Sequence, residues 1–424
     1  MIPQKTIIGI LCVLLLLLPV IVSAETMDTQ FLSPLAEDEV EVHLLRVEHY
    51  LVLTASASVD TCEVRFVFPP EYAYQVPLYL EIYNDSTAPL INYRIQNETP
   101  GVNKVVVFRL GSLVTGEEVL IHFSVWVLVD DHEFTDLPRF VRFPRVLSLP
   151  IETRVWLQRS PVVQIYNPLL QHKAEQLRGI SPNMIRFAER VAYFIKHHRY
   201  GLFVVQLNSK IFFSQDALTT LLINGDNVGR SHLACALFRS QHIPARVLLA
   251  HNDQGFWTQM HYMVEYYVPG YGWVLLDSTK GETPYATSHQ VIERVCYPGD
   301  EWDTKTDYIF RFMKGEERWL WITTPFVEPV YVDCDRGSKS QMFDEGSLVT
   351  SLALGENASW ITSNVFHSYQ HYLGMNLSGV NKTYYENAVQ YQKQALNVFQ
   401  NTSDLEMFIQ VMNQALGEYQ KIIV

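Results

Sequence analysis

No block of basic residues occurs anywhere in this chain. Lys and Arg number 32 against 45 Asp and Glu, a net charge of −13 at neutral pH. Such a surface repels nucleic acid and gains nothing from an anionic membrane, which excludes both as partners. Long apolar runs are confined to one place, Ile7 to Val22, and that run contains Pro19. Its 16 residues fall short of the roughly 20 that span a bilayer. Lys5 precedes it and the small-residue pattern Val22-Ser23-Ala24 follows, which reads as a secretory signal peptide over residues 1–24 with Glu25 as the mature start. The expected product is secreted or held at the extracellular surface, with no membrane segment after cleavage. Six Asn-x-Ser/Thr sites, at Asn84, Asn97, Asn357, Asn376, Asn381 and Asn401, fit a glycoprotein made by that route.

Cysteine is also scarce, at five. Cleavage removes Cys12 and leaves Cys62, Cys235, Cys296 and Cys334. An even count in an oxidising compartment permits one or two disulfides. Cys296 and Cys334 both lie in Pro/Gly/Asp-rich, loop-like sequence and are the favoured pair, whereas Cys235 sits in an apolar helical pattern and reads as a buried thiol. No internal repeat is evident.

What is present divides the chain by pattern. From Glu39 to Val155, segments such as "VEVHLLRVEHYLVLTASASV" and "EVLIHFSVWVLVDD" are rich in β-branched and aromatic residues and separated by Pro and Gly clusters. This predicts a β-sandwich over 25–158. After Pro161 the period changes. Ile185, Ala188, Val191, Ala192 and Ile195 recur at helical spacing behind Ser181-Pro182, and a second helix follows Asn227 with Leu233, Ala234, Leu237 and Phe238 on its apolar side. Strands at Arg246–Ala250, His261–Val268 and Trp273–Leu276 come next, the last two joined by Pro269-Gly270-Tyr271-Gly272 as a hairpin. Helices followed by antiparallel strands predict an α+β domain over 159–340. Residues 341–424 read as polar linker and then C-terminal helices. Ser403 and Glu406 have capping-box spacing, and the last helix is expected to pack back on the domain.

One stretch carries chemistry. "NGDNVGRSHLACALFRSQHIPARVLLA", Asn224 to Ala250, places a glycine-containing turn before an apolar helix that ends in Ile243-Pro244-Ala245-Arg246. Farther on come His261 with Glu265, then Gly272-Trp273, Asp277 and Thr279. In this order the motifs resemble the transglutaminase-like domain of the papain-like thiol enzyme superfamily, over residues 160–290. His242 stands where that family has glycine before the isoleucine. The resemblance implies a cysteine nucleophile at a helix N-terminus, a histidine base and an acid that orients it, attacking a carboxamide carbonyl. Carried onto this chain, these positions are Asn227, His261 and Asp277. No cofactor or metal is implied.

Asn227 breaks the scheme, because an amide nitrogen conjugated with its carbonyl does not ionise near neutral pH and is a poor nucleophile. As a structural residue asparagine is a good N-cap, and Asn227 is expected to cap the helix it begins. Ser231, His232 and Cys235 are the nearby candidates to replace it. Ser231 reads more simply as a small residue packed against a strand, and Glu265 as a structural acceptor rather than a metal ligand beside His261. Regular pairing around the hairpin places Asp277 near Val264, so contact with His261 is expected to need a bulge or an offset register. Phe256, Trp257, Tyr262, Tyr271 and Trp273 are available to floor a cleft, or equally to pack in the core. The leading expectation is an inactive transglutaminase-like protein with a binding or structural role toward an extracellular polypeptide or glycan. The alternative is an active thiol acyltransferase, peptidase or amidase using Cys235.

Overall fold

The computed structural model describes residues 39–423, apart from 56–57, 73, 99–100, 132–133, 135, 202, 208–209, 253–259, 287, 300, 302–309 and 316–338. The segment expected to be a signal peptide, Cys334, Phe256 and Trp257 fall outside the described residues.

Six strands open the described chain: β1 Glu39–Thr54, β2 Cys62–Phe68, β3 Gln75–Ile82, β4 Leu90–Asn97, β5 Lys104–Leu110 and β6 Glu118–Asp130. In β1 the odd-numbered side chains from His43 to Leu53 are all buried, while the even ones beyond Leu45 are half-buried, as alternation requires of a strand with one face on a core. Across the interior Phe123 of β6 meets Phe108 of β5 and Phe66 of β2, with ring centroids 5.1 and 5.6 Å apart. Those contacts make the two sheets a sandwich.

Short helices follow: α1 Pro168–Arg178, α2 Met184–His197, then the β7 Phe203–Leu207 and β8 Lys210–Ser214 hairpin, α3 Ala217–Leu222 and α4 Asn227–Ser240. α2 buries Ile185, Ala188, Val191, Ala192 and Ile195, the apolar stripe visible in the sequence. β9 Ala245–Asn252, β10 Met260–Val268, β11 Gly272–Leu276 and β12 Gln290–Cys296 form an antiparallel sheet in the order β11-β10-β9-β12. Gly270 turns the β10–β11 hairpin at φ +79°, a conformation that costs other residues a Cβ clash. Cys296 is the buried last residue of β12, not a loop residue.

The chain then returns to the sandwich. β13 Phe310–Gly315 adds to the edge of β2, and β14 Lys339–Ser351 pairs along β1. The full orders are β14-β1-β6-β3 and β13-β2-β5-β4. Residues 341–351, read from sequence as linker, are therefore strand. α5 Leu352–Tyr372, α6 Gly379–Thr402 and α7 Leu405–Tyr419 pack together beside the first sheet, with Gln392 of α6 donating to the Leu78 carbonyl of β3 at 2.9 Å. α7 is capped by Asp404, which accepts from Met407 N–H at 2.9 Å. Ser403 is instead the left-handed C-cap of α6, so the expected Ser403/Glu406 capping box does not form. Among the described residues no helix is long and apolar enough to cross a membrane.

Candidate active site

The turn before α4 is built for close packing. A Cβ on Gly225 would lie 2.4 Å from Thr220 Cγ2, so only glycine lets the chain pass there. Asp226, in extended conformation, is the N-cap: its Oδ1 accepts from Gly229 N–H at 3.0 Å, and its Oδ2 accepts from Gln215 at 2.6 Å. Asn227 is the first helical residue, and its side-chain oxygen accepts only from the adjacent Val228 N–H at 2.8 Å. The expectation that Asn227 caps α4 is thus corrected by one position. A carboxylate one residue earlier reaches the N3 donor and also offers charge to the positive helix end. Asp226→Ala is expected to cost about 1 kcal/mol and Asn227→Ala much less, read from denaturant midpoints. Equal losses would contradict this assignment.

His261 is the second residue of β10, and Asp277 follows the last residue of β11. The hairpin register pairs Val264 with Leu276, so one further step sets Met263 opposite Asp277. The register is thus offset by one from simple pairing, and it sets His261 and Asp277 on one face as diagonal neighbours without a bulge. His261 Nε2 lies 3.1 Å from Asp277 Oδ2. The other oxygen, Oδ1, accepts from the backbone N–H groups of Thr279 and Lys280 at 2.7 and 2.9 Å, which locks the carboxylate plane. Burial by itself would raise the Asp277 pKa. The His261 hydrogen bond and the two N–H groups outweigh it and hold the carboxyl below its ordinary value. An ionised acceptor on Nε2 selects the tautomer with the proton there, leaving Nδ1 as the basic nitrogen.

One hydrogen-bonded hub brings α4 to this pair. Ser231 Oγ lies 2.9 Å from the Asn227 carbonyl, 3.1 Å from the Tyr262 carbonyl and 2.8 Å from Ser278 Oγ. Asn227, the residue after His261 and the residue after Asp277 are therefore tied through two buried hydroxyls. Ser278 was not singled out in the sequence, where nothing in its spacing marks it.

The other candidates are placed elsewhere. Ser231 is fully buried and engaged in the hub, the structural reading expected of it. His232 Nδ1 meets the Gln215 carbonyl at 2.7 Å on another side of α4. Cys235 is enclosed, and burial pushes its thiol pKa far up, away from a thiolate. Glu265 pairs with Arg246 at 2.7 Å and accepts from Tyr72 of the sandwich, so it does not converge with His261 on a metal. Trp273 covers the Arg246 guanidinium at 3.9 Å, and Tyr271 donates to Asp136 at 2.9 Å. Both are packing residues here. Tyr262 is buried.

The model of the transglutaminase-like superfamily matches residues 171–278, the stretch that runs from α1 to the hub serine. This stretch is a transglutaminase-like domain. Its ends enclose the helix start, the histidine strand and the aspartate. Beyond it, a crystal structure described as a "Putative Cysteine Protease" from Cytophaga hutchinsonii shares the fold over 74% of this chain and 93% of its own, at 15% identity and TM-score 0.50. That span is longer than the transglutaminase-like domain. A second, described as a "Putative Protease" from Parabacteroides distasonis, is 13% identical over 55% of this chain and 46% of its own, with TM-score 0.22. The latter carries no argument about this chain. No curated protein matches the sequence.

Proposed function

We propose that this protein is an exported transglutaminase-like protein that binds an extracellular polypeptide or glycan, or serves structurally, without acyl transfer. The observation that carries the reading is Asn227 at the first position of α4, tied by the hub to a buried His261–Asp277 pair. In this reading His261 and Asp277 are the base and orienter of a site whose helix-start residue, reached through the backbone hub, is a carboxamide. Proton removal from that group yields no useful nucleophile at neutral pH. The thiol-enzyme alternative needs Cys235, whose burial and raised pKa both oppose it.

The test is turnover by the purified protein, with glutamine-containing peptides and an amine for transamidation and with unmodified peptides for hydrolysis. No turnover above buffer is expected. Turnover that disappears in His261→Ala would overturn the reading, whereas turnover indifferent to that substitution identifies a contaminant.

A further inference from the structure

β1 and β14 pair out of step at one point. His43 faces Ser347 while Leu45 faces Asp344, so β14 carries one extra residue there, a β-bulge. In an even register Asp344 would stand opposite Arg46, on the other face of the sheet. The bulge moves Asp344 to the face of His43 and Leu45. Gly346 permits it with φ +150°, and the Gly346 N–H donates to Asp344 Oδ1 at 3.0 Å, which holds Oδ2 forward.

Two imidazoles meet that oxygen. His43 Nδ1 and His289 Nε2 each lie 3.2 Å from Asp344 Oδ2, and the two ring centroids are 4.0 Å apart. Among the described residues this is the one group of three His, Cys, Asp or Glu whose ligand atoms all lie within 4.8 Å of one another. The far nitrogen of His43, Nε2, is 3.3 Å from a Glu41 oxygen. His43 is buried, while His289 and Asp344 are 37% and 32% exposed, so the group has an inner wall and an open mouth.

We propose that His43, His289 and Asp344 bind one divalent transition-metal ion of the zinc class. Zinc bonds of about 2.0–2.2 Å at tetrahedral angles put ligand atoms roughly 3.3 Å apart, and two of the three separations here already have that length. Two neutral imidazoles and one carboxylate suit zinc and its neighbours and do not suit calcium or magnesium, which take oxygen ligands. The Gly346 N–H, bonded to Asp344 Oδ1, orients the carboxylate as an outer-shell partner. Three protein ligands leave the fourth position to water at the exposed mouth. The ion would join β1 to the turn before β12 and to β14, which lie 246 and 301 residues farther along the chain at His289 and Asp344.

The experiment is calorimetric titration of the purified full-length protein with zinc chloride, repeated with cobalt chloride for its visible absorption. One ion per chain is expected, with affinity falling as pH drops through the histidine range. His289→Ala, at the exposed ligand, should weaken binding by more than the 10–100-fold that loss of an outer-shell partner costs. His197→Ala, at an exposed histidine elsewhere, should change nothing. Circular dichroism confirms that each variant is folded, and Asp344→Asn serves if His289→Ala is not. Absence of binding by the folded protein, or binding unchanged in His289→Ala and Asp344→Asn, would overturn the site.

Discussion

Glu301→Gln is expected to lower the unfolding free energy by about 3–5 kcal/mol, the cost of stranding a buried charge. Its partner Arg239, near the end of α4, is completely enclosed. Arg239 donates to the Ala245 carbonyl at 2.8 Å, to the Gln158 carbonyl at 2.9 Å and through both terminal nitrogens to Glu301. The guanidinium thus fastens the C-terminal end of α4 to the start of β9 and to the segment leading in from the sandwich. Because α4 is rigid, that anchor also sets where its other end stands relative to His261. Without Glu301 the cation has only carbonyl dipoles for compensation. A loss of this size is a large share of the roughly 5–15 kcal/mol that stabilises a typical domain. The double variant Arg239→Met/Glu301→Leu should recover much of it, because replacing both charges removes the desolvation penalty as well as the attraction. Urea unfolding with an unchanged slope measures both. A single variant that loses less than about 1 kcal/mol would show that Arg239 is compensated by its carbonyls alone.

Asn227→Cys is expected to produce a thiol that alkylates with a pH midpoint at least one unit below that of free cysteine, about 8.5. The residue opens α4, where unpaired N–H groups and the aligned dipoles favour an anion by up to about 2 kcal/mol in a partly buried setting. His261 supplies the imidazolium partner, with Asp277 already holding Nε2. Among the described residues Cys62, Cys235 and Cys296 are buried thiols and do not compete for reagent, and labelling is read at position 227 itself. Iodoacetamide labelling at position 227 is followed against pH, with and without His261→Ala. A depressed midpoint that rises when His261 is removed places the imidazole at the helix start. A midpoint near 8.5 in both proteins would mean that His261 and Asp277 form a purely structural pair.

Much of this was legible in one dimension, and the parts that were not share a cause. The stripe of α2, the alternation of β1 and the hairpin at Gly270 are local periodicities, and each folds as its pattern dictates. The helix start at 227 was equally readable, but its cap was not. Asp226 and Asn227 are both good caps, and only the backbone conformation at 226 decides between them. β14 is not legible in the sequence because Lys-Ser-Gln-Met-Phe-Asp-Glu-Gly is polar and carries a bulge. Most of its described side chains lie half-buried or exposed at a sheet edge, so no apolar alternation survives in the sequence.

The sequence by itself determined which residue types are available: a histidine, an aspartate and, where a thiol is expected, an asparagine. It also determined that residues 171–278 take a transglutaminase-like fold, since three motifs in order encode a helix, a strand and a turn. Only the tertiary structure decided that His261 and Asp277 touch, because a diagonal contact depends on pairing register and not on the 16 positions that separate them. The same holds for the group at His43, His289 and Asp344. Its members are far apart in sequence, and one inserted residue in β14 turns Asp344 from one face of the sheet to the other. Side-chain direction in a strand has a period of two, so a single extra residue reverses it, and no local pattern records where that residue falls.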